Sequence, residues 1–544
     1  VAGNDRHPEI GLPTDLARKH PRQAAAVETR ASALDDGFAG RAGQGEFEVV
    51  AQAALRPVRQ RAHPRRGVQT IVDHLGSAHD DAELAALVTI ARARIAELNG
   101  QAQLDLEPLT RASPPRSTGP TVTGSRSRVL WDVLEKVYTD LGFDRVGNDT
   151  FRNLVLGRVV EPTSKADTLR VWDELGVPGT SSLSTVWRTL ARSVEQDWRS
   201  QFAAAAHAHA TRGGPLTVVL YDCTTLYFEA EREDGLRKVG MSKERRVDPQ
   251  ILVGLLVTQG GFPLEVHEFA GNKGETLTLL PVLTQFRERH AAPDVVGVAD
   301  AGMLWASNLN KLEDAGFSFI VGSRTSSAPY DLAEHYATVG NIVIDGETVE
   351  TTRIMGAGVN ARERRVVWQY SHKRKTRDNI TLNKQVERAE QIAAGTRAPK
   401  KDRFVTLGEK PGVNWARVEK AREYIGLKGY VTNLHPATLP AGDVVAAYHD
   451  LFHVEASFRM AKTDLRARPM FASTGDSIHA HLTVVFAALA ISRHLYATTG
   501  YTVRRIVRAL RPLRDVTISI DGYELTAPTP PTGEAAEILA TLYP

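Results

Sequence analysis

Leu216-Thr-Val-Val-Leu-Tyr-Asp222 is the stretch of this 544-residue sequence that decides the fold. Its apolar and β-branched residues follow Gly214 and predict a buried strand that ends at Asp222. A second run, Val295-Val-Gly-Val-Ala299, predicts another strand that ends at Asp300. Ligands of open α/β sheets bind beyond the carboxyl ends of strands, so we expect the two aspartates to converge. One aspartate after a strand is usually a turn residue, and the pair is therefore the stronger signal.

The sequence on either side of these runs supplies the rest of an α/β sheet with crossover connections. Apolar periodicity predicts further strands at Ile251–Val257, Leu264–Phe269 and Phe317–Val321, and helices at 276–290 and 305–314. Helical spacing returns from Asp443 onward, and Ser477–Tyr496 is predicted to be a buried helix.

Changes of period and composition divide the chain into six parts. They are an N-terminal region (1–109), a linker rich in Pro, Ser, Thr and Gly (110–126), a helical unit (127–213), the α/β unit (214–323 and 441–500), an inserted subdomain (324–440) and a basic C-terminal tail (501–544). The helical unit fits either a helix-turn-helix DNA reader or a plain helical bundle. The insertion contains strand-like pieces at 341–344, 365–370 and 430–433.

The composition is that of a folded, water-soluble protein. Lys and Arg number 67 against 64 Asp and Glu, a net charge of +3, and 42% of residues are apolar, which excludes a disordered chain or a highly charged tail protein. The longest apolar run, Leu482–Ile491, is too short to cross a bilayer. The single cysteine, Cys223, allows no internal disulfide and no Cys-based zinc site. Without a secretory signal near the first residue, a reducing, cytoplasmic location without membrane insertion is expected.

A third acidic residue, Glu455, lies on a predicted helix with several polar neighbours. At about 100° per residue, Tyr448, Leu451, Arg459 and Lys462 all fall within about 40° of the direction of Glu455. One face of this helix is therefore predicted to present all five side chains. The alternative is an exposed face on which Glu455 and Arg459 form a stabilising i,i+4 pair.

Several short motifs surround the three acidic residues in the sequence. They are Asp222 with Thr224 and Thr225, Gly240-Met-Ser-Lys-Glu-Arg-Arg-Val-Asp248, Gly261-Phe-Pro-Leu264, Gly271-Asn272, Val298-Ala-Asp-Ala-Gly-Met303, Thr432-Asn433-Leu434, and a Tyr-x2-Arg-x3-Glu-x6-Lys pattern at Tyr448, Leu451, Glu455 and Lys462. Together they resemble the catalytic domain of bacterial insertion-sequence DDE transposases over about residues 215–500. Upstream, Glu161-Pro-Thr-Ser-Lys165 is also similar to this group. Leu451 replaces the arginine of the pattern, and Arg459 is one turn beyond Glu455 on the same face.

The resemblance implies a ribonuclease-H-like mixed sheet with flanking helices, a β-containing insertion before the last catalytic helix, and a helical N-terminal region. It also implies that Asp222, Asp300 and Glu455 are the catalytic residues and hold two Mg²⁺ ions, with Mn²⁺ as a substitute. Hard carboxylate oxygens suit Mg²⁺, and two such ions support in-line phosphoryl transfer. Tyr448 and Lys462 are expected to contact DNA phosphates, and Arg459 is our candidate for the missing guanidinium.

The function implied is a DNA transposase that cleaves insertion-sequence ends and transfers the strands into target DNA. A metal-dependent nuclease without strand transfer and a catalytically inactive DNA-binding relic are the alternatives. The expected partners are double-stranded DNA, as terminal inverted repeats and as target, and a second copy of the chain in a homodimer. Association with the bacterial nucleoid follows. Candidate DNA-gripping segments are the Arg56–Arg66 cluster, the helices of 127–210, the basic segment 362–377 and the arginines from Arg504 to Arg514.

Overall fold

The computed structural model describes residues 47–51, 73–78, 87–88, 90 and 120–543, the last range with gaps at 180, 230–231, 242–247, 293, 304, 324–343, 399–401, 407–410, 469, 473 and 521. The chain divides into two compact units, residues 1–115 and 116–544. In the first unit, strands β1 (Phe47–Ala51) and β2 (Asp73–Ala78) pair in antiparallel fashion. The Arg56–Arg66 cluster lies outside the described residues.

The second unit begins with a short strand and five helices. They are β3 (Thr121–Arg126), α1 (Arg128–Asp140), α2 (Asp149–Val160), α3 (Thr168–Leu175), α4 (Leu183–Glu195) and α5 (Trp198–Ala210). Local capping explains several of the helix starts, because the side chain of Asn148 accepts a hydrogen bond from Phe151 N and that of Ser182 accepts one from Thr185 N. The expectation of a helical region ahead of the sheet is confirmed.

Eight strands form the central sheet. They are β4 (Val218–Tyr227), β5 (Gln250–Thr258), β6 (Pro263–Ala270), β7 (Val296–Ala299), β8 (Ser318–Ser323), β9 (Thr348–Met355), β10 (Arg362–Tyr370) and β13 (Leu427–Thr432), in the order β6-β5-β4-β7-β8-β13-β10-β9. Strands β6, β5 and β4 pair antiparallel, whereas β4, β7 and β8 run parallel. Helices α6 (Leu279–His290) and α7 (Ala306–Asp314) make the crossovers. This is the predicted ribonuclease-H-like sheet.

Strand β4 is longer than the sequence predicted. It runs on from Asp222 to Tyr227 because every residue from Val219 to Tyr227 keeps an antiparallel partner on β5. The parallel pairing with β7 stops at Tyr221 and Ala299. Asp222 therefore lies within a strand, at the point where one of its two neighbours ends.

The segment 324–440 is only partly a separate subdomain. Strands β9, β10 and β13 extend the central sheet, because Val366 and Trp368 are buried on one face and Val367 on the other, so that β10 needs cover on both sides. Helices α8 (His372–Ala393) and α9 (Trp415–Glu423), with the hairpin β11 (Val405–Thr406) and β12 (Gly412–Val413), surround a small core of their own.

Helices α10 (Ala441–His449), α11 (Phe452–Thr463) and α12 (Gly475–Thr499) follow the sheet. Helix α12 is the predicted buried helix, and α1, α2, α4 and α5 pack around it. It is long and apolar enough to cross a membrane, but 89% of its most apolar stretch is buried inside the protein, as in the core helix of a water-soluble protein.

The two ends of the second unit pack together. The C-terminal residues form α13 (Val503–Leu510), β14 (Asp515–Ile520), β15 (Tyr523–Pro528) and α14 (Gly533–Leu542). Strand β14 pairs with both β15 and β3. Residues 121–126, predicted as linker, are therefore a strand, and the predicted C-terminal tail is folded, because each supplies backbone partners that the other lacks.

Two hydrophobic cores lie on the two faces of the central sheet. The larger core joins the sheet to α1–α5, α10, α11 and α12, and it contains Leu220 and Val298. The smaller core contains Tyr221 and Ala299 and is covered by α6 and α7. Side chains at even positions of β4 therefore face the larger core, and those at odd positions face the smaller one.

Candidate active site

Asp222 lies on β4, and Asp300 comes directly after the adjacent parallel strand β7. Their preceding residues, Tyr221 and Ala299, are partners in the register of β4 and β7. Alternation along β4 sends the half-buried Asp222 to the face of the larger core, opposite to the side chain of Cys223. Asp300 follows the last residue of β7 and is exposed at the carboxyl end of that strand. The register of β4 and β7 therefore brings the two aspartates to the same end of the sheet.

Glu455 belongs to a helix on the same face of the sheet. Val454, Phe458 and Ala461 of α11 are buried in the larger core, together with Leu220 of β4. Glu455 itself is exposed in the first turn of α11. The third acid thus lies on the side of the sheet to which Asp222 points.

The β5–β6 turn holds α11 against the sheet. Ser457 Oγ donates a hydrogen bond of 2.9 Å to the carbonyl of Gly261, and the Arg493 guanidinium donates to the carbonyl of Gly260. Gly261 has a φ of 81°, and a Cβ at this position would lie 2.9 Å from the Cβ of His453. The turn therefore requires glycine, and the motif that begins at Gly261 positions the helix that carries Glu455.

Two side-chain contacts bracket Glu455. Before it in the chain, Tyr448 Oη donates a hydrogen bond of 2.7 Å to Asp300 Oδ1. After it, Lys462 Nζ donates to Thr224 Oγ1, two residues beyond Asp222 on the same face of β4. Thr224 is a functional contact that the sequence showed only as a motif residue. Tyr448 is thus joined to Asp300, and Lys462 is joined to Thr224, two residues from Asp222. Glu455 lies between them in the chain, on the helix that packs on the same face of the sheet.

Tyr448 is held as a neutral phenol. Burial, and then the negative charge of Asp300, raise the pKa of Tyr448 well above its usual range. Lys428 Nζ lies 5.2 Å from the centroid of the Tyr448 ring, and burial lowers the pKa of this lysine. Gly322 of β8 leaves room for the phenol, because any side chain at that position would collide with the Tyr448 ring. The ring can therefore cross β8 and reach Asp300.

The predicted single helix from Tyr448 to Lys462 is in fact two helices. The chain turns at Asp450 and Leu451, where Leu451 N bonds to Tyr448 O at 3.2 Å and His453 N bonds to Asp450 O at 2.8 Å, in place of the regular four-residue spacing. The angular argument consequently fails for Tyr448 and holds for Arg459 and Lys462. Tyr448 reaches the site from α10, by its contact with Asp300.

Leu451 and Arg459 differ in their surroundings. Leu451, which replaces the arginine of the pattern, is half-buried and packs against the larger core. Arg459 is exposed on α11, one turn beyond Glu455. Leu451 therefore serves packing, while the role of Arg459 stays a prediction.

The basic segment 362–377 divides into two parts. Arg362, Arg364 and Arg365 of β10 form ion pairs with Glu313, Asp314 and Glu350. The basic residues of α8, by contrast, include the exposed Lys373 and Arg377. Ion pairs also engage the C-terminal arginines Arg504, Arg505 and Arg511. Arg364 and Arg365 are buried and stabilise the fold, whereas Arg504 and Arg505 are exposed, and DNA binding by the C-terminal arginines stays a prediction.

Divalent metal fits the donor chemistry of the site. Asp222, Asp300 and Glu455 offer hard carboxylate oxygens on one face of the sheet, the ligand type that Mg²⁺ prefers. Among the described residues, no three His, Cys, Asp or Glu side chains are gathered closely enough to form a ready-made metal cage. Mg²⁺ usually uses one or two carboxylates together with water and substrate phosphate. The donor type of the three carboxylates fits Mg²⁺, and the described residues do not by themselves form a three-ligand cage.

Residues 213–491, just over half of the chain, match the family model of the transposase DDE domain. Two solved structures with likeness to this one are a piggyBac transposase synaptic complex with hairpin DNA and a Mos1 transposase paired-end complex with the left transposon end. The first has 10% identity, a TM-score of 0.34, and coverage of 73% of this chain and 82% of that chain. The second has 11% identity, a TM-score of 0.15, and coverage of 62% and 85%. No curated protein matches the sequence.

Proposed function

We propose that this chain, which belongs to the DDE transposase family, cleaves DNA at the ends of its insertion sequence and joins the freed ends to target DNA. The observation that carries the proposal is the placement of Glu455 between two contacts, Tyr448 with Asp300 and Lys462 with Thr224. Tyr448 thereby reaches one acid of the family's chemistry, Lys462 reaches the strand that carries another, and Glu455 lies between them in the chain.

Asp222, Asp300 and Glu455 would hold two Mg²⁺ ions, for which Mn²⁺ can substitute. When bound, such ions stabilise the charge on the attacking and leaving oxygens of an in-line displacement at phosphorus. The chain itself needs no nucleophilic side chain, and Cys223 is unsuited to be one because burial raises the pKa of its thiol to about 12. An open site without its own nucleophile can accept water for cleavage and a DNA 3′-hydroxyl for joining.

Tyr448, Lys462 and Arg459 would position the DNA backbone. The neutral phenol of Tyr448 fixes one oxygen of Asp300, so that this carboxylate keeps its orientation when DNA enters. Lys462 is a point charge held beside Asp222 by Thr224, and Arg459 presents an exposed guanidinium one turn from Glu455. Such groups contact phosphates without reading sequence.

The partners would be double-stranded DNA and a second copy of the chain. Terminal inverted repeats and target DNA must both reach the acids, and a homodimer would allow two transposon ends to be processed together. We propose a cytoplasmic, nucleoid-associated location, because the substrate is there.

The test uses the purified chain, DNA carrying the sequence that flanks its reading frame, and a supercoiled target plasmid. With Mg²⁺ present, we expect nicks at the ends and covalent joining of those ends to the plasmid. Nicks without joined product would support a nuclease. Specific binding with neither product would support an inactive relic, and both results contradict the proposal.

A further inference from the structure

A basic cavity lies beside the active site, between the helical unit and the start of α12. It has a volume of about 640 Å³. Its lining includes Arg158, Lys165, Trp187, Arg466, Phe471 and Asp476. Arg466 comes three residues after the end of α11. The guanidinium of Arg468, another lining residue, lies 5.7 Å from the centroid of the Tyr227 ring, so the cavity borders the end of the strand that carries Asp222. Lys165 closes the Glu161-Pro-Thr-Ser-Lys165 motif, to which the catalytic chemistry gives no role.

Arg158 and Lys165 are half-buried, and neither has a carboxylate partner among the described residues. Arg158 Nη1 makes a long hydrogen bond of 3.4 Å to the backbone carbonyl of Leu465. Lys165 Nζ lies 3.3 Å from Nδ1 of His481, a ring that is itself buried. Neither cation forms an ion pair with any acid of the described residues, whereas the nearby Asp167 is bound by Arg170 and Thr163. Two half-buried cations without an acidic partner among the described residues thus share one cavity wall.

The pKa values of these groups reflect their removal from water. Burial, and then the charge of Arg158, lower the pKa of Lys165 to about 8. Burial also lowers the pKa of Arg158 to about 10 and that of His481 well below its usual range. A cation that is partly withdrawn from water and has no acidic partner is destabilising, so groups kept in this state are typical of a site that an anion completes.

The remaining walls suit a nucleotide more than a small ion. Arg466 and Arg468 add positive charge, and the N-terminal turn of α12 adds a partial positive charge, against the single carboxylate of Asp476. Trp187 and Phe471 are 50% and 78% exposed at the cavity. Aromatic side chains beside a basic groove are the usual platform for the sugars and bases of a nucleic-acid strand.

We propose that Arg158 and Lys165 bind a backbone phosphate of the DNA strand that leaves the active site, with Trp187 and Phe471 against the adjoining nucleotide. The identification of the anion as DNA rests on the proposed function. The binding of a phosphate in the cavity is independent of that function, because it is inferred from the two cations that have no acidic partner.

The first test measures thermal unfolding of the full chain with inorganic phosphate, with NaCl of equal ionic strength as the reference. We expect phosphate to raise the unfolding midpoint of the wild type, as any ligand of the folded state does. Lys165→Met and Arg158→Met should lose that rise. Because each removes a half-buried charge that has no acidic partner, both should unfold at or above the wild-type midpoint without phosphate. Arg192→Gln, which removes an exposed arginine of α4, should keep the rise.

The second test measures binding of a duplex transposon end as salt is raised. Loss of one phosphate contact should lower the slope of log affinity against log salt by about 0.9. We expect this for Lys165→Met and no change for Arg192→Gln. A phosphate-induced rise that survives in both Met variants would overturn the cavity as an anion site. Loss of that rise with an unchanged DNA slope would overturn DNA as the source. Failure of transposition alone would leave both results unaffected and count only against the proposed function.

Discussion

Two groups of acidic side chains in this protein differ in how their charge is matched. On β6, Glu265 is 1% exposed and receives hydrogen bonds from His267, His290 and Arg289, and Glu268 pairs with Arg199 and His479. In the second group, Asp300 is exposed and accepts a hydrogen bond from the neutral phenol of Tyr448. Glu455 is exposed in the first turn of α11. In the first, or closed, group, Arg and His side chains of the protein neutralise the acids, and these pairs stabilise the fold. The second, or open, group leaves negative charge for ligands that come from solution.

The largest effect expected from this comparison is the loss of cleavage when an open-group acid is neutralised. If the proposed function is right, Asp222→Asn, Asp300→Asn and Glu455→Gln should each lower the cleavage rate by about 10³-fold or more, because each removes charge that would hold the proposed metal ions. Binding of the transposon end, measured by gel shift, should survive. Asp443→Asn, at an exposed acid of α10, should cleave normally. An acid variant that still cleaves would remove that residue from the site.

The closed group should respond in stability. Glu265→Ala leaves Arg289 and two histidines without their buried partner, and breaking such a set should destabilise the fold by about 3–5 kcal/mol. Urea unfolding measures this, with Glu288→Ala, an exposed acid of the same crossover helix as Arg289, as the control. A cost below about 1 kcal/mol would mean that Glu265 is no more important than a surface pair.

The pH dependence of stability should separate the two groups further. Burial raises the pKa of Glu265 and Glu268, but the hydrogen bonds and charges of their His and Arg partners outweigh it and lower both pKa values to about 2. The folded pKa lies below the unfolded one, so this stabilisation is present above about pH 4.5 and is lost as pH falls towards 2. Urea midpoints from pH 6 to pH 3 should decline, and the decline should be smaller in Glu265→Gln. An equal decline in that variant would assign the acid sensitivity to other carboxylates.

The smallest effect concerns Leu451, the departure from the family pattern. Because Leu451 is half-buried against the larger core, Leu451→Arg should cost about 1 kcal/mol of stability through lost apolar burial. Cleavage should change by less than about threefold, since Arg459 remains. Leu451→Met is the matched control. A large gain in cleavage would show that the arginine reaches DNA phosphate from this position.

The sequence allowed the sheet to be predicted more completely than the helix that carries Glu455. All five predicted strands of the first part of the sheet exist, because unbroken runs such as 251–257 are buried on both faces and leave few alternatives. The break at Asp450 and Leu451 was missed, since helical periodicity continues across it. The sequence also indicated no structural role for the motif residue Asn433. Its side chain bonds to Phe319 N and Phe317 O, both at 3.0 Å, and so secures the start of β8.

What the sequence by itself determined is the kind of chemistry. The types and order of Asp222, Asp300, Glu455 and Lys462 are fixed by the chain, and strand alternation sets the face to which Asp222 points. Only the tertiary structure decided which residues meet. The contacts of Tyr448 with Asp300, of Lys462 with Thr224, and of Ser457 with Gly261 join positions that are 148, 238 and 196 residues apart. Such distances are closed by core packing between the sheet and its helices, and local propensity carries no information about that packing.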